Sequence, residues 1–422
     1  MPLDDEFRFW CGGGDISIPR GPSDWIIVDF DQRRIIVARM DGDQDSEELA
    51  LGYLKRYIDT LDPDVTFVYL SPDGGLVKAS TDLKHDKVDC VYYPPLSLIR
   101  ASESVQTVVR TELRELDRLG ADIDLVSYQT CIEPVSTRKA VFKYYWHARF
   151  VGTFWKEAEI WMRLPPHPNI VPFDRLVLDE MHGNVVGFTS LYIPGGTLDK
   201  NPSRVFKLKW LQQLTQVIDD LNLRHGIWHQ DVAARNLVVD AATDNIMIFD
   251  FNVSARVGYI NAYGTCEHIA VRDDVMAVVF TLYELITHDL HFRENTSWDE
   301  LSIALVQDIE WVPHPDVKLD HPVAEYRALL DAWVKERKEG KKVEVYTDAP
   351  EYLDWKELEQ PLVEMDRWDE PPEMVPSWVF CRRTKARAEG REVLDWQRPV
   401  QSTLGSDCHL LATGKLLEPA AA

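Results

Sequence analysis

Apolar and polar positions recur along this chain with two different periods, and the change of period divides it. Residues 24–40, DWIIVDFDQRRIIVARM, hold two β-branched runs joined by a polar stretch, the pattern of a hairpin. In 45–61, DSEELALGYLKRYIDTL, Leu49, Leu51, Tyr53, Leu54 and Ile58 recur at helical spacing behind acidic residues that suit a helix start. VTFVYL (65–70) reads as a further strand, so residues 1–103 form an N-terminal α/β extension. The spacing of SVQTVVRTELRELDRLG (104–120) predicts a helix ending at Gly120, a good residue for a helix C-terminus. Strand runs follow: IDLVSY, KAVFKYYW, IVPFDRLVLDE and VVGFTSLYI, the last two separated by the turn MHGN. One helix, 152–164, interrupts them, and from 203 onward helices dominate: VFKLKWLQQLTQVIDDLNLRHG, 274–287 and 322–338. The predicted class is α+β, with a strand-rich part over 104–190 and a helix-rich part over 191–340 that meet near YIPGGTLD (192–199).

Beyond residue 341 the chain turns rich in proline and tryptophan. Trp355, Trp368, Trp378 and Trp396 argue against plain disorder, so PSWVFCRRTKARAEGREVLDWQRP is expected to contain a helix and to dock on the body. Within it, CRRTKAR (381–387) reads as a solvated helix face, with docking on an acidic surface the other reading. The final stretch, DCHLLATGKLLEPAAA, reads as a fraying end, and CGGGD near the start as a flexible terminus, since no Lys-Ser/Thr follows its glycines.

Composition narrows the class. The 422 residues are 45% apolar and 27% charged, enough to build a core. A net charge of -24 disfavours nucleic acid and anionic membrane as partners. It also means that an anionic ligand needs a local cation or metal. Six scattered cysteines without a C-x-x-C pattern fit reduced thiols. MPLDDEFRFW has neither the basic nor the apolar region of a signal peptide, and 274–287 is too short and too charged to span a bilayer. The expectation is a soluble protein of the cytoplasm or nucleus.

The candidate chemistry centres on HGIWHQDVAARNLVVD (225–240). AVFKYY puts Lys143 on a strand, Glu157 lies on the one helix among the strands, and IMIFDFN (246–252) is an apolar strand ending in Asp250-Phe251-Asn252. Strand Lys, helix Glu, HQDVAARN and DFN in this order resemble the protein kinase set. RLPPHPNIV, YIPGGTL and the buried-type helix at 274–287 extend the resemblance over residues 119 to 340, nearest to the fungal protein-kinase-like group. The resemblance implies a bilobal fold with a small β-rich lobe and a large helical lobe. It implies ATP and Mg²⁺ as cofactors and a protein substrate or partner. Lys143 would contact phosphates and be held by Glu157, Leu191 and Ile193 would edge the nucleotide site, and Asn236 and Asp250 would hold Mg²⁺. Asp231 would accept the acceptor hydroxyl's proton, with Arg235 at the substrate or γ-phosphate. Phe251, His229 and Trp161 would stack between the lobes, His229 and Trp161 in structural roles, as would Trp228.

Four departures bear on mechanism. Gln230 replaces the arginine that pairs with an activation-loop phosphate, so switching by phosphorylation there is not expected. Asn252 replaces the D-F-G glycine, and asparagine tolerates the positive φ of that turn. No glycine-rich loop precedes Lys143: a turn at Gly120 puts Asp122 and Asp124 where phosphates would lie, and the other candidate turn, QTCIEPVST, has no glycine. Asp274 follows Asp250 by only 24 positions, with no A-P-E between, which leaves little peptide platform. The readings are a protein Ser/Thr/Tyr phosphotransferase, a pseudokinase scaffold, or a small-molecule kinase of the aminoglycoside or choline type.

Overall fold

The computed structural model describes residues 3–16, 22–42, 44, 46–99, 105–130, 136–261, 267, 269, 271–365, 373–405 and 408–417. Its architecture is mixed α+β. A short helix α1 (Asp5–Arg8) precedes β1 (Phe9–Ile16), β2 (Ser23–Asp29), β3 (Arg34–Met40), α2 (Glu48–Leu54), β4 (Phe67–Leu70) and β5 (Leu76–Ser80). These five strands form one sheet in the order β1-β2-β3-β4-β5. The expected hairpin is β2–β3, while β3 and β4 run parallel and so need the α2 crossover between them. α2 buries Ala50 and Leu54 against Ile36, Ala38, Met40 and Val68.

CGGGD is not a loose terminus: it lies within β1, which bulges between Cys11 and Gly14 where it pairs with β2. A Cβ at Gly14 would meet the Trp25 ring at 2.6 Å, so the glycine makes room for packing rather than for a phosphate.

After β6 (Asp89–Val91), a six-stranded sheet is built from β7 (Gln106–Val109), β8 (Arg114–Gly120), β9 (Ile123–Gln129), β10 (Thr137–Tyr144), β11 (Phe173–Leu178) and β12 (Val185–Leu191). Its order is β7-β11-β12-β10-β9-β8, and α3 (Val151–Trp161) follows β10. The helix expected over 104–120 is absent; β7 and β8 occupy that stretch. The cause is visible in β8, whose buried positions are Glu115 and Arg118 while Leu116 and Leu119 are exposed. A strand whose inner face is charged shows no apolar alternation, and bulges at Glu115/Asp117 and Arg118/Gly120 break its register further.

The two faces of this sheet meet different cores. Phe188 packs on the side of α3 and the main core, whereas Ala140, Phe142, Tyr144 and Val186 face a second core closed by Val28, Phe30, Trp396 and Ala412.

The helix-rich part contains β13 (Val205–Phe206), α4 (Leu208–Asp219), β14 (Ile227–Trp228), β15 (Leu237–Asp240), β16 (Asn245–Ile248), β17 (Ala255–Arg256), α5 (Asp274–Thr287), α6 (His291–Asn295), α7 (Ala304–Gln307), β18 (Lys318–Leu319) and α8 (Val323–Glu339). Two-residue or four-residue strands pair as β13–β18, β14–β17 and β15–β16. α5 is apolar on nearly all sides and is correspondingly central, burying Val278, Val279, Phe280, Leu282 and Ile286. HPNIV joins this part to the sheet: Ile248 N–H donates to Asn169 O at 2.9 Å, and Val171 N–H to Ile248 O at 3.0 Å.

The tail adds β19 (Leu362–Met365), β20 (Glu373–Pro376), β21 (Val379–Arg382) and the expected helix, α9 (Arg383–Ala388). β21 pairs with β6. CRRTKAR docks rather than facing solvent throughout: Arg383 reaches the buried Asp86 at 2.8 Å and Arg382 reaches Asp89 at 3.0 Å. Residues 408–417 of the final stretch likewise pack against the body. Leu410, Ala412 and Thr413 are buried, and Ala412 N–H donates to Leu113 O at 2.8 Å.

A buried ion network ties these regions together. Arg398 contacts Glu115 at 2.9 Å and Asp124 at 3.1 Å, Arg33 contacts Asp124 at 2.5 Å, and Arg118 contacts Asp31 at 2.7 Å. The three guanidiniums therefore offset three carboxylates contributed by the first hairpin and by β8 and β9.

Candidate functional site

β10 alternates its side chains across the sheet, so Phe142 and Tyr144 enter the second core while Lys143 emerges on the α3 side. Opposite partners in the ladder, Ile123 and Phe188, share that face, as do Val141 and Leu125 two positions along. α3 then presents Glu157 from a fully buried position. Lys143 Nζ lies 2.6 Å from Glu157 Oε2 and 2.9 Å from Asp250 Oδ1. A fifth of the Lys143 side chain remains exposed.

One ammonium cannot fully compensate two buried carboxylates. Burial, then the Asp250 charge, push the Glu157 carboxyl up to about 8 against the pull of Lys143. Burial acts on Asp250 in the same sense, but Lys143 overrides it and leaves that carboxyl below its usual range. The two carboxyls are thus pushed apart, Glu157 toward the protonated form and Asp250 toward the charged one. Burial alone would lower the Lys143 ammonium; Asp250 and Glu157 raise it instead, so it stays charged.

The loop over 229–236 is held from beneath by Asp274, the first residue of α5, which is fully buried. Its Oδ1 accepts Gln230 N–H at 2.7 Å, and its Oδ2 accepts His229 N–H and Asn222 Nδ2, both at 2.8 Å. Gln230 takes φ of 64°, a conformation a non-glycine residue keeps only when its surroundings impose it. Its side chain donates to Ile269 O at 2.9 Å and thereby holds the following segment by neutral contacts. Asn236 Nδ2 donates to Asp231 Oδ2 at 2.8 Å and to Asp231 O at 2.9 Å. Arg235, largely exposed, pairs with Asp231 Oδ1. His229 Nε2 lies 3.1 Å from Phe249 O, linking this loop to the strand end that carries Asp250.

The three rings expected to stack are in contact, but tilted at 53° and 58° rather than stacked. Phe251 lies between Trp161 (centroids 5.4 Å apart) and His229 (5.0 Å), and Trp161 Nε1 donates to Val171 O at 2.7 Å. Leu191 ends β12 with its N–H donated to Pro172 O at 3.0 Å, and Ile193 is buried in the main core. Leu191 therefore has no amide hydrogen free for a ligand.

Two expectations are corrected. The positive φ of the D-F-N turn falls on Asp250 (67°), not on Asn252. Asn252 instead donates from Nδ2 to Asp250 Oδ2 at 3.3 Å, while its Oδ1 is buried without a partner. Asp124 does not face the lysine: it stands opposite Phe142 in the ladder and is consumed by Arg33 and Arg398. Asp122 pairs with His147 at 3.1 Å. Asp124 is thus spent elsewhere, Asp122 keeps one carboxylate oxygen without a partner, and the lysine's face near the β8–β9 turn offers Ile123 and Leu125. Most of the other candidate turn, 131–135, lies outside the described residues, as do 262–266, 268 and 270 of the stretch after Asn252.

The roles of Asp274 and of Gln230 toward Ile269 were not read from the sequence. Asp274 stood in plain view as an acidic residue opening an apolar helix, but nothing local distinguishes a loop anchor from an ordinary helix start. Among the described residues no group of three or more His, Cys, Asp and Glu is arranged to hold a metal, and none of their helices is long and apolar enough to cross a membrane. A scan against models of protein families finds no match, and no curated protein matches the chain significantly.

Proposed function

We propose that this chain is a phosphotransferase of bilobal, protein kinase-like fold, moving the γ-phosphoryl group of ATP to a hydroxyl of a protein. One observation carries the reading: Lys143 Nζ lies within 2.6 Å of Glu157 and 2.9 Å of Asp250, on the α3 face of the sheet. The Asp231–Asn236 pair, linked to the Asp250 strand through His229 and Phe249, supports it further.

The oxygen donors suit Mg²⁺, a hard ion that completes its shell with water and phosphate oxygens. Asn236 spends its Nδ2 on Asp231, which leaves its side-chain carbonyl oxygen to serve as a metal ligand. The unpartnered Asn252 Oδ1 adds a buried oxygen at the same turn. When bound, the metal neutralises charge on the β- and γ-phosphates. Lys143 contributes the protein's own positive charge there, and Glu157 and Asp250 fix where its ammonium stands. Asp231 receives the hydroxyl proton and orients the oxygen for in-line attack. Arg235, paired with Asp231 and open to solvent, is placed to meet the acceptor.

Purified chain with Mg²⁺ and labelled ATP should label itself or a generic protein. Asp231→Asn should reduce transfer by roughly a hundredfold or more. Equal labelling by that variant would remove the reading. One observation favours a scaffold instead: the β8–β9 turn runs Gly120-Ala121-Asp122, too poor in glycine to wrap phosphates in backbone amides. ATP-Mg²⁺ titration separates the two, since a scaffold of that kind shows no saturable binding.

A further inference from the structure

A cavity of about 720 Å³ opens between the first sheet, the β11–β12 turn and the C-terminal segment. Its size is that of a small-molecule site. It shares no lining residue with the Lys143 cluster.

The unusual group in its wall is Arg34. The residue is 4% exposed, yet among the described residues no carboxylate pairs with it. Nη1 donates to Gln32 Oε1 at 3.1 Å, Nη2 to the carbonyls of Asp62 (3.1 Å) and Val65 (2.7 Å), and Nε has no partner. Burial lowers its affinity for the proton although Asp29, its cross-strand neighbour, and Asp64 and Asp59 act on it through space; none of the three makes an ion pair with it among the described residues. Elsewhere in this chain buried arginines are matched by carboxylates, as Arg33, Arg118 and Arg398 are. A buried cation whose direct hydrogen bonds all go to neutral groups, with carboxylates acting only through space, is costly unless an anion reaches it. Two further lining groups are buried without partners: the Trp146 indole N–H and the Thr66 hydroxyl. Arg387, on the exposed side of α9, also lines the space and makes no ion pair among the described residues.

The cavity's own carboxylates do not fill this need. Asp86 is paired with Arg383, Asp89 with Arg382, and Asp179 accepts the backbone N–H groups of Met181, His182 and Asn184. Asp64, Glu392 and Asp395 are exposed, where water and salt screen them.

We propose that this cavity binds a small molecule bearing an oxyanion, phosphate or carboxylate, with the oxyanion on the Arg34 guanidinium and Arg387, Trp146 and Thr66 as further donors. Such a site is a second ligand site, independent of the phosphotransfer reading. The complementary partner is local and cationic inside a negative molecule, so binding selects by fit rather than by bulk attraction.

Calorimetric and thermal-shift titrations of the full chain with inorganic phosphate, phenyl phosphate and benzoate, at matched ionic strength against chloride, test it. Saturable binding of at least one probe is expected. Tighter binding of phenyl phosphate assigns a phosphate monoester, and tighter binding of benzoate a carboxylate. Arg34→Met should weaken binding roughly tenfold or more, as loss of a charged hydrogen bond does. Should that variant fail to fold, Arg387→Ala and Thr66→Val carry the test, because Arg387 is exposed and Thr66→Val keeps the shape. No saturable binding by any probe, or equal affinity in all folded variants, overturns the proposal.

Discussion

Arg398→Met asks whether the C-terminal segment is core or appendage. The guanidinium is fully buried and contacts Glu115 at 2.9 Å, Asp124 at 3.1 Å and the Phe30 carbonyl at 3.0 Å, with a further bond to the Asp31 carbonyl. Methionine fills much of the volume but leaves three buried carboxylates facing two guanidiniums, Arg33 and Arg118. Breaking a buried pair from one side costs roughly 3 to 5 kcal/mol. Titration gives a second measure. Burial raises the Glu115 carboxyl, but Arg398, Arg118 and Arg33 more than reverse this and hold it at about 2, from 4.5. That shift corresponds to roughly 3 kcal/mol of stability. Because the folded value is depressed, the stabilisation is complete above 4.5 and is lost as pH falls toward 2. Denaturant unfolding should therefore show a loss of about 3 kcal/mol or more near neutral pH, shrinking progressively in acid. Adding Asp124→Asn should recover part of it, since the two sites are in contact. A loss under about 1 kcal/mol, the range of ordinary surface substitutions, or one that does not change with pH, would refute the reasoning.

Two further substitutions probe the candidate site. Glu157 is raised from 4.5 to about 8, so its contribution is complete below 4.5 and is lost as pH rises through 8. The stability of the native chain relative to Glu157→Gln, which cannot ionise, should fall across that window by a few kcal/mol (roughly 3 to 5); a flat difference in paired unfolding curves would show that Glu157 titrates normally. Asp274→Asn turns an acceptor toward the N–H groups of His229 and Gln230 into a donor on one side. It should cost about 2 to 3 kcal/mol and speed amide exchange at Gln230 more than at remote amides. Unchanged exchange there would mean that the loop is held by something else.

Some of this protein was determined locally and was legible as such. The β2–β3 hairpin, α5 and α8 carry periodicities their own residues impose, because an amphipathic or wholly apolar stretch has few ways to bury itself. Lys143, Glu157, Asp231, Asn236 and Asp250 stood out only because their order along the chain resembles the protein kinase set. Tertiary structure decided what no single stretch could carry. β8 is a strand although its inner face is charged, and those charges are tolerable only beside partners remote in sequence: Glu115 meets Arg398, 283 positions on, and Arg118 meets Asp31 of the first hairpin. Trp396 and Ala412 became core because they close the far face of the six-stranded sheet. The direction of Asp124, away from the lysine, followed from strand register, which a shift of one residue would have inverted. Whether a charge stabilises or repels is set by what stands a few ångströms from it, and that distance exists only in the folded chain.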